Sequence, residues 1–271
     1  MPSATQLSTE DRFVGLFVGR SGSGKTPAAC SFPGPIEVLD FDQRIRGLLG
    51  CSWVDLTKIN YDVFPPRESG GVTRLNKKLE GWMVAASVGQ LHVKTIVLDS
   101  LTAMCQCLIQ QALPITHAGG KGMSFGTINL TGPEDYKFES QGTLSVLSFL
   151  RSLPGVNIIV TAHLVPRWGK LPGANAFSEN VQIGEKLSIT DKLGENCLIY
   201  FDHIFRFDAP QNGQKHLVQF RGDMARTGFG SLPNGDHDIT NTAFYPFMQS
   251  KLSSAGRSPL TDLQTSQQLT K

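Results

Sequence analysis

The chain has 271 residues, 40% of them hydrophobic, which suits one large α/β domain with its own core. Its 25 basic and 23 acidic residues give a formal net charge of +2, which neither requires nor excludes a nucleic-acid partner. No apolar run approaches the roughly 18 residues of a membrane span, and the polar start, residues 1–12, is unlike a signal peptide. We therefore expect a cytoplasmic protein.

The five cysteines are odd in number and form no CxxC pair, so a disulfide framework is not expected. They are typical of the reduced, mostly buried thiols of an intracellular protein. Cys105 and Cys107 could be a metal-binding pair, but nothing nearby completes a set of four ligands. The cysteines therefore point to packing rather than to metal chemistry.

Along the chain, residues 1–11 are polar and are expected to be flexible, and residues 13–18 are an apolar run that predicts a buried strand. The sequence GRSGSGKT follows at residues 19–26 and has the pattern G-x-x-x-x-G-K-T of the phosphate-binding P-loop. A helix is expected next, with Pro27 in its first turn, where the missing N–H costs little. A strand, a glycine loop and a helix in this order are the context that the motif requires.

The glycines of a P-loop let backbone N–H groups converge on an anion, and the helix N-terminus adds partial positive charge. Lys25 is expected to reach the outer phosphates of a nucleotide, and the Thr26 hydroxyl to hold Mg²⁺. The candidate nucleotide-binding residues are Gly19, Arg20, Ser21, Gly22, Ser23, Gly24, Lys25 and Thr26.

Residues 36–42 (IEVLDFD) predict a second strand that ends in acidic residues. Asp40 or Asp42 could orient or deprotonate an attacking water molecule. Asp42 is preferred because its place beyond the strand end leaves it free to face the phosphates. The alternative is that both are solvated acids of a turn.

Residues 95–100 (TIVLDS) predict another apolar strand, which ends at Asp99. This position resembles a Walker B aspartate, whose carboxylate would hold Mg²⁺ through water opposite Thr26. The alternative is a helix N-cap, in which Asp99 or Ser100 starts the helix that follows.

The other predicted elements are helices over 73–88, 101–112 (stopped by Pro114) and 134–152, a strand over 156–163, paired strands over 197–207 and 216–220, and long glycine-containing loops at 114–133 and 165–186. Strands that alternate with helices predict an α/β fold, with a mostly parallel sheet covered by helices on both faces and late antiparallel strands. Ligands of such sheets bind at the carboxyl ends of the strands. We expect the domain to span residues 12–248 and residues 249–271 to form a disordered tail.

His163 lies at a predicted strand end, where a polar side chain could contact the γ-phosphate or its water; a buried, hydrogen-bonded histidine is the alternative. Arg167, Trp168 and Lys170 follow it. An aromatic side chain flanked by two cationic ones suits single-stranded nucleic acid. The cationic groups can contact the phosphates, and the aromatic ring can stack on a base. A plain surface loop would carry the same residues.

Several of these segments together resemble the RecA-like P-loop ATPases, in particular the phage and prophage members related to RecA recombinases and single-strand annealing proteins. They are GRSGSGKT at 19–26, VLDFD at 38–42, IVLDS at 96–100, IIVTAH at 158–163, FDHIFRFD at 201–208 and RGDMARTGFGSLP at 221–233. The resemblance implies a RecA-like fold with ATP and Mg²⁺ at the P-loop and Asp99. It also implies an activating carboxylate at Asp42, where bacterial recombinases usually carry Glu, and a sensor at His163, where they commonly carry Gln.

The resemblance further implies DNA-binding loops near 114–133 and 165–186, and a homo-oligomer with ATP between subunits, where Arg226 is a candidate finger acting in trans. The implied catalytic residues are Lys25, Asp42, Asp99 and His163. The resulting hypothesis is a Mg²⁺-dependent ATPase acting on single-stranded DNA in phage recombination, annealing or replication, with a single-strand-binding protein as a further partner. The alternatives are an ATP-switched DNA-binding mediator with little hydrolysis and a small-molecule or nucleotide kinase.

Overall fold

The computed structural model describes residues 12–66, 68, 70–120, 123–125, 128–170, 179–209, 215–227 and 232–254. The strands are β1 (Val14–Gly19), β2 (Ile36–Asp40), β3 (Ile59–Val63), β4 (Thr95–Asp99), β5 (Met123–Phe125), β6 (Ile128–Leu130), β7 (Asn157–Gly169), β8 (Val181–Leu187), β9 (His203–Asp208), β10 (Leu217–Gln219), β11 (Arg226–Thr227) and β12 (Asp236–Asp238). The α-helices are α1 (Lys25–Ala29), α2 (Gly71–Ser87), α3 (Leu101–Ala118), α4 (Pro133–Ser152), α5 (Asp191–Asn196) and α6 (Phe244–Ser254). Short 3₁₀ helices span Ile45–Gly50, Leu56–Lys58 and Cys197–Tyr200.

In the described part of the chain, a ten-stranded sheet has the order β12-β10-β9-β1-β7-β4-β2-β3, with β11 beside β9 and β8 beside β7. The strands from β9 to β3 in this order pair in parallel. The late strands β10, β11 and β12 pair antiparallel. This arrangement confirms the predicted α/β class with a mostly parallel sheet and late antiparallel strands.

Apolar residues cover both faces of the sheet, which is why β1 and β4 are buried along their whole length. Leu16 and Val18 face one cluster, to which α2, α3 and α4 contribute, and Phe17 faces a second, to which α1 and α6 contribute. Alternate residues of one strand therefore pack against helices on opposite faces. Of the helices in the described residues, none is long and apolar enough to span a membrane.

Helix α3 continues through Pro114 to Ala118, so the prediction that it ends before the proline is wrong. Proline removes one helical hydrogen bond, but the turn beyond it is held by a contact with α4. The Thr116 hydroxyl is buried and donates to Asp135 Oδ1 at 2.7 Å. The predicted loop at 114–133 accordingly contains the end of α3 and the antiparallel pair β5–β6.

The loop predicted at 165–186 is also wrong in its described parts, because β7 continues to Gly169 and pairs antiparallel with β8. We call β7 from Leu164 onward together with β8 the β7–β8 hairpin; residues 171–178 lie outside the described residues. Strand pairing satisfies backbone groups that an isolated segment would leave unpaired. No local sequence pattern identifies β8 as the partner of β7.

The predicted pairing of the late strands is confirmed, since β9 and β10 are antiparallel neighbours. The strand expected from Cys197 begins only at His203, because residues 197–200 form a 3₁₀ helix. Helix α6 extends to Ser254 with Leu252 buried, so the folded chain continues past the predicted boundary at residue 248. Residues 1–11 and 255–271 lie outside the described residues.

Candidate functional site

A cavity of about 320 Å³ opens where β1, β2, β4 and β7 bring their functional residues to one edge of the sheet. Its lining includes Ser21, Gly22, Ser23, Gly24, Lys25, Thr26, Pro27, Ala28, Asp42, Arg44, Gly47, Leu48, Cys51, Trp53, Asp99, His163, His216, Ile239 and Thr242. In the strand register, His163 of β7 is level with Gly19, the last residue of β1. Parallel strands thus place the P-loop and the polar strand ends around one space.

The P-loop connects β1 to α1 through backbone conformations that require glycine. Gly22 and Gly24 have φ angles of 80° and 90°, in the left-handed region that disfavours other residues. A Cβ added at Gly19 would lie 2.2 Å from the carbonyl oxygen of Phe207, so a larger residue would displace the loop or β9. The glycines of the motif therefore set the shape of the loop.

Lys25 is buried, and its ammonium group folds back onto the P-loop. Nζ donates to the carbonyl oxygens of Gly19 at 2.9 Å and Arg20 at 2.8 Å. Burial lowers the pKa of Lys25 to about 8, and the nearby carboxylates of Asp99 and Asp42 partly oppose this effect. A further anion beside Nζ would favour the charged form, so the position suits phosphate.

Asp99 accepts hydrogen bonds on both carboxylate oxygens from two threonines. The Thr26 hydroxyl donates to Oδ2 at 2.9 Å, and the Thr161 hydroxyl of β7 donates to Oδ1. Burial raises the pKa of Asp99, although these two hydrogen bonds oppose the effect. The N-cap of α3 is Ser100 and not Asp99, because the Ser100 Oγ accepts a hydrogen bond from the Ala103 N–H at 3.2 Å.

Asp42 and His163 form a hydrogen-bonded pair. The Nε2–H of His163 donates to Asp42 Oδ2 at 2.9 Å, and the Ser100 hydroxyl donates to Oδ1 at 2.9 Å. Burial would raise the pKa of Asp42, but the hydrogen bonds from His163 and Ser100 outweigh it and lower the pKa. The two residues predicted as separate activating and sensing groups are therefore in direct contact.

Asp40 has a different environment from Asp42. It is fully buried, and its carboxylate accepts from the backbone N–H of Arg44 at 3.2 Å and of Ile45 at 3.1 Å. It thus shapes the turn after β2 and does not line the cavity, whereas Asp42 does. Of the two acidic residues that end this segment, Asp42 is therefore the one exposed to the cavity.

Two residues that line the cavity, Arg44 and His216, were not predicted from the sequence. Arg44 donates from Nη1 to Ser21 Oγ at 2.6 Å and so joins the segment after β2 to the P-loop. His216 lies beside Gly24, where an added Cβ would be 3.2 Å from its Nδ1, and this buried nitrogen has no hydrogen-bond partner among the described residues. His216 precedes β10 and no local motif marks it; only the fold brings it to the P-loop.

Of the predicted DNA-binding residues, Arg167 and Trp168 lie at the far end of β7 and Lys170 follows its last residue; none of the three lines the cavity. Trp168 is 62% exposed, which is unusual for so large an apolar side chain. Glu185 of β8 connects the β7–β8 hairpin to the site, since it accepts from Arg20 of the P-loop at 3.4 Å. The hairpin is therefore bonded to the loop that would hold phosphate.

Arg226 lies on β11, and its Nη2 donates to the Leu198 carbonyl oxygen at 2.6 Å. It is not among the residues that line the cavity. Cys105 and Cys107 are buried, and the described residues contain no group of three His, Cys, Asp or Glu side chains placed to hold a metal ion.

No protein-family model matches the chain, and no curated protein matches it significantly. The solved structures that match include a KaiC-like protein from the hyperthermophilic archaeon Pyrococcus horikoshii OT3. It is 15% identical, with a TM-score of 0.43, and the match covers 84% of this chain and 86% of that one. The geometry itself shows the class of fold: an α/β protein in which a P-loop sequence lies at the carboxyl ends of a mostly parallel sheet.

Proposed function

We propose that the chain binds ATP with Mg²⁺ in this cavity and hydrolyses it. The observation that carries the proposal is the convergence of Lys25, Thr26, Asp99 and the Asp42–His163 pair on one cavity. The donor chemistry fits the ion, because the hydroxyl of Thr26 and the carboxylate of Asp99 are 2.9 Å apart and supply the oxygen ligands that Mg²⁺ prefers. When bound, Mg²⁺ neutralises charge on the phosphates.

Each residue has a role that follows from its present contacts. Lys25 would exchange its bonds to loop carbonyls for bonds to phosphate oxygens. Thr26 and Asp99 would hold the ion, while Thr161 keeps the Asp99 carboxylate in its orientation through Oδ1. Because the P-loop backbone is preformed, the rearrangement on binding is confined to the side chains of Lys25, Thr26 and Asp99.

The proposed reaction is attack by water on the γ-phosphorus, with ADP as the leaving group. Asp42 remains a carboxylate at neutral pH, since its pKa is lowered, so it can accept a hydrogen bond from the water. The same lowered pKa makes it a weak base. The contribution of the Asp42–His163 pair is therefore mainly to position the water, and most of the acceleration would come from positioning and charge stabilisation.

One observation favours the second candidate, an ATP-switched protein with little turnover. Both carboxylate oxygens of Asp42 already accept hydrogen bonds, from Ser100 and His163, each at 2.9 Å. A water molecule must compete with these donors. If the protein is such a switch, ATP binding alone would change the contacts of the Asp42–His163 pair, and hydrolysis would be slow.

We also propose that the β7–β8 hairpin binds single-stranded DNA. Support comes from Trp168, 62% exposed between the cations Arg167 and Lys170, a combination suited to base stacking and phosphate contact. The same strand, β7, carries His163 at the nucleotide site. The phage context, the recombination, annealing or replication role, a homo-oligomer with Arg226 acting in trans, and a single-strand-binding partner rest on the sequence resemblance alone.

The test is ATP hydrolysis with and without single-stranded DNA at two salt concentrations, with Lys25→Ala as the control. DNA stimulation that fades with salt supports a DNA-dependent ATPase, because phosphate contacts release counterions. Binding of ATP without turnover, with or without DNA, supports the switch. Turnover that survives in Lys25→Ala would refute the assignment of the P-loop.

A further inference from the structure

The residues that line the cavity form two groups of different chemistry, which we call the phosphate end and the apolar end. The phosphate end contains the P-loop residues 21–26 with Asp42, Asp99 and His163. We define the apolar end as Pro27, Ala28, Leu48, Cys51, Trp53 and Ile239. Pro27 and Ala28 belong to α1, so the cavity continues along the helix whose N-terminus would face the phosphates.

The apolar end is not explained by phosphate or magnesium binding, since both need polar or charged partners. It is formed by segments far apart in sequence: the stretch after β2 supplies Leu48, Cys51 and Trp53, and the residue after β12 supplies Ile239. Trp53 is half-buried and packs against the core cluster while it also lines the cavity. A supported aromatic ring beside a phosphate site fits a flat, apolar organic group.

The charged side chains of the cavity are already engaged at the phosphate end. Lys25 bonds the loop carbonyls, Asp99 bonds two threonines, and Asp42 bonds Ser100 and His163. Arg44 bonds Ser21 of the P-loop. Of the other polar lining residues, His216 lies beside Gly24 of the P-loop, and the Thr242 hydroxyl donates to the Thr240 carbonyl oxygen at 3.2 Å. Both carboxylates that line the cavity, Asp42 and Asp99, already accept hydrogen bonds, so neither is free to read the N–H groups of a particular base.

We propose that the apolar end holds the nucleobase, stacked on the indole of Trp53, and that the base is recognised by stacking rather than by hydrogen bonds. Stacking accepts any base, because every base has a π-face. The protein would therefore bind purine and pyrimidine nucleoside triphosphates alike, with purines somewhat tighter because of their larger faces. This inference rests on the proposed nucleotide binding and adds its substrate range.

The experiment is titration calorimetry with Mg²⁺ and four probes: ATP, GTP, CTP and inorganic tripolyphosphate, which has the phosphates but no base. In Trp53→Ala the affinity for each nucleotide should fall by about 5- to 150-fold, while tripolyphosphate affinity stays the same. Trp53→Phe, which keeps an aromatic face, should retain most of the affinity. Leu49→Ala is the matched control: Leu49 is in the same segment, 76% exposed and absent from the lining, so nothing should change.

Cys51 provides a second readout that needs no variant of Trp53. It is the one cysteine of the five that is not buried, so a maleimide should label it first. ATP, GTP and CTP should protect Cys51 from labelling, whereas tripolyphosphate should not. Protection by tripolyphosphate equal to that by ATP would contradict a base at the apolar end.

The outcomes separate this inference from the proposed function. If nucleotides bind and depend on Lys25, but Trp53→Ala binds ATP as the wild type does, the base assignment is refuted and the P-loop assignment stands. Exclusion of GTP and CTP by about 100-fold or more would also refute it, since that selectivity requires hydrogen-bond readout. If neither ATP nor tripolyphosphate binds, both the proposed function and this inference fail.

Discussion

Replacing Thr161 by Val tests the hydrogen bond that orients Asp99. The change keeps a β-branched side chain of the same shape in β7 and removes only the hydroxyl. Thr161 is fully buried and Asp99 is 2% exposed, so little solvent is in contact with the pair to replace the lost donor. A hydrogen bond to a charged group contributes about 1.5–3 kcal/mol, and we expect the free energy of unfolding to fall by that amount where Asp99 is ionised.

The matched control is Thr143→Val in α4. Thr143 is also fully buried, but its hydroxyl bonds the neutral thiol of Cys105 at 3.3 Å. A neutral hydrogen bond contributes only about 0.5–1.5 kcal/mol. Urea unfolding of both variants should therefore rank Thr161→Val as the more destabilised. Equal losses would mean that the charge on Asp99 is not what the Thr161 hydroxyl stabilises.

The effect of Thr161→Val should also depend on pH. Burial already raises the pKa of Asp99, and loss of the Thr161 bond raises it further. A carboxyl group whose pKa is higher in the folded than in the unfolded protein lowers the stability of the fold as pH rises. The loss begins near the pKa of the unfolded state and is complete above the pKa of the folded state. The destabilisation should thus be largest at the alkaline end of the pH range, where Asp99 is ionised, and shrink as Asp99 becomes protonated. A loss that grows on acidification would refute this reasoning.

Three further predictions concern the loop and the hairpin. Binding of tripolyphosphate should weaken above about pH 8, because Lys25, whose pKa is lowered to about 8, then loses its charge in the free protein; Lys25→Ala, with a neutral side chain, should bind weakly with no such pH dependence. Gly19→Ala should lower the unfolding free energy by about 1–3 kcal/mol, measured in urea, because its Cβ would lie 2.2 Å from the Phe207 oxygen; wild-type stability would show that the loop relaxes freely. Trp168→Ala should weaken single-stranded DNA binding by roughly 1–3 kcal/mol in an anisotropy titration, and unchanged affinity would remove the hairpin from the proposed interface.

The parts of the fold that sequence predicted are those encoded by local pattern. The apolar runs of β1 and β4 are buried on both faces, and a run of apolar residues is visible without knowing its neighbours. The spacing of Leu75, Leu79 and Trp82 likewise predicted α2, where all three side chains are buried. The strand order and the pairing of β7 with β8 had no such signal, because partner choice depends on contacts between distant segments.

Helix α3 illustrates how tertiary contacts override a local rule. Pro114 is a correct signal that one helical hydrogen bond is lost. The sequence does not reveal that Thr116 would meet Asp135 across the α3–α4 contact and hold the last turn. The loop prediction at 165–186 failed for a similar reason, since the pairing partner of β7 supplies the hydrogen bonds that make it a strand.

The candidate site divides in the same way. By itself, the sequence determined the P-loop motif and the acidic strand ends, since glycine conformations and the order of strand, loop and helix are local properties of the chain. Only the tertiary structure decided that Asp42 bonds His163, that His216 lies beside Gly24, and that Trp53 lines the cavity. These contacts join segments separated by many residues, and they form only when the parallel strands bring their ends to one edge of the sheet.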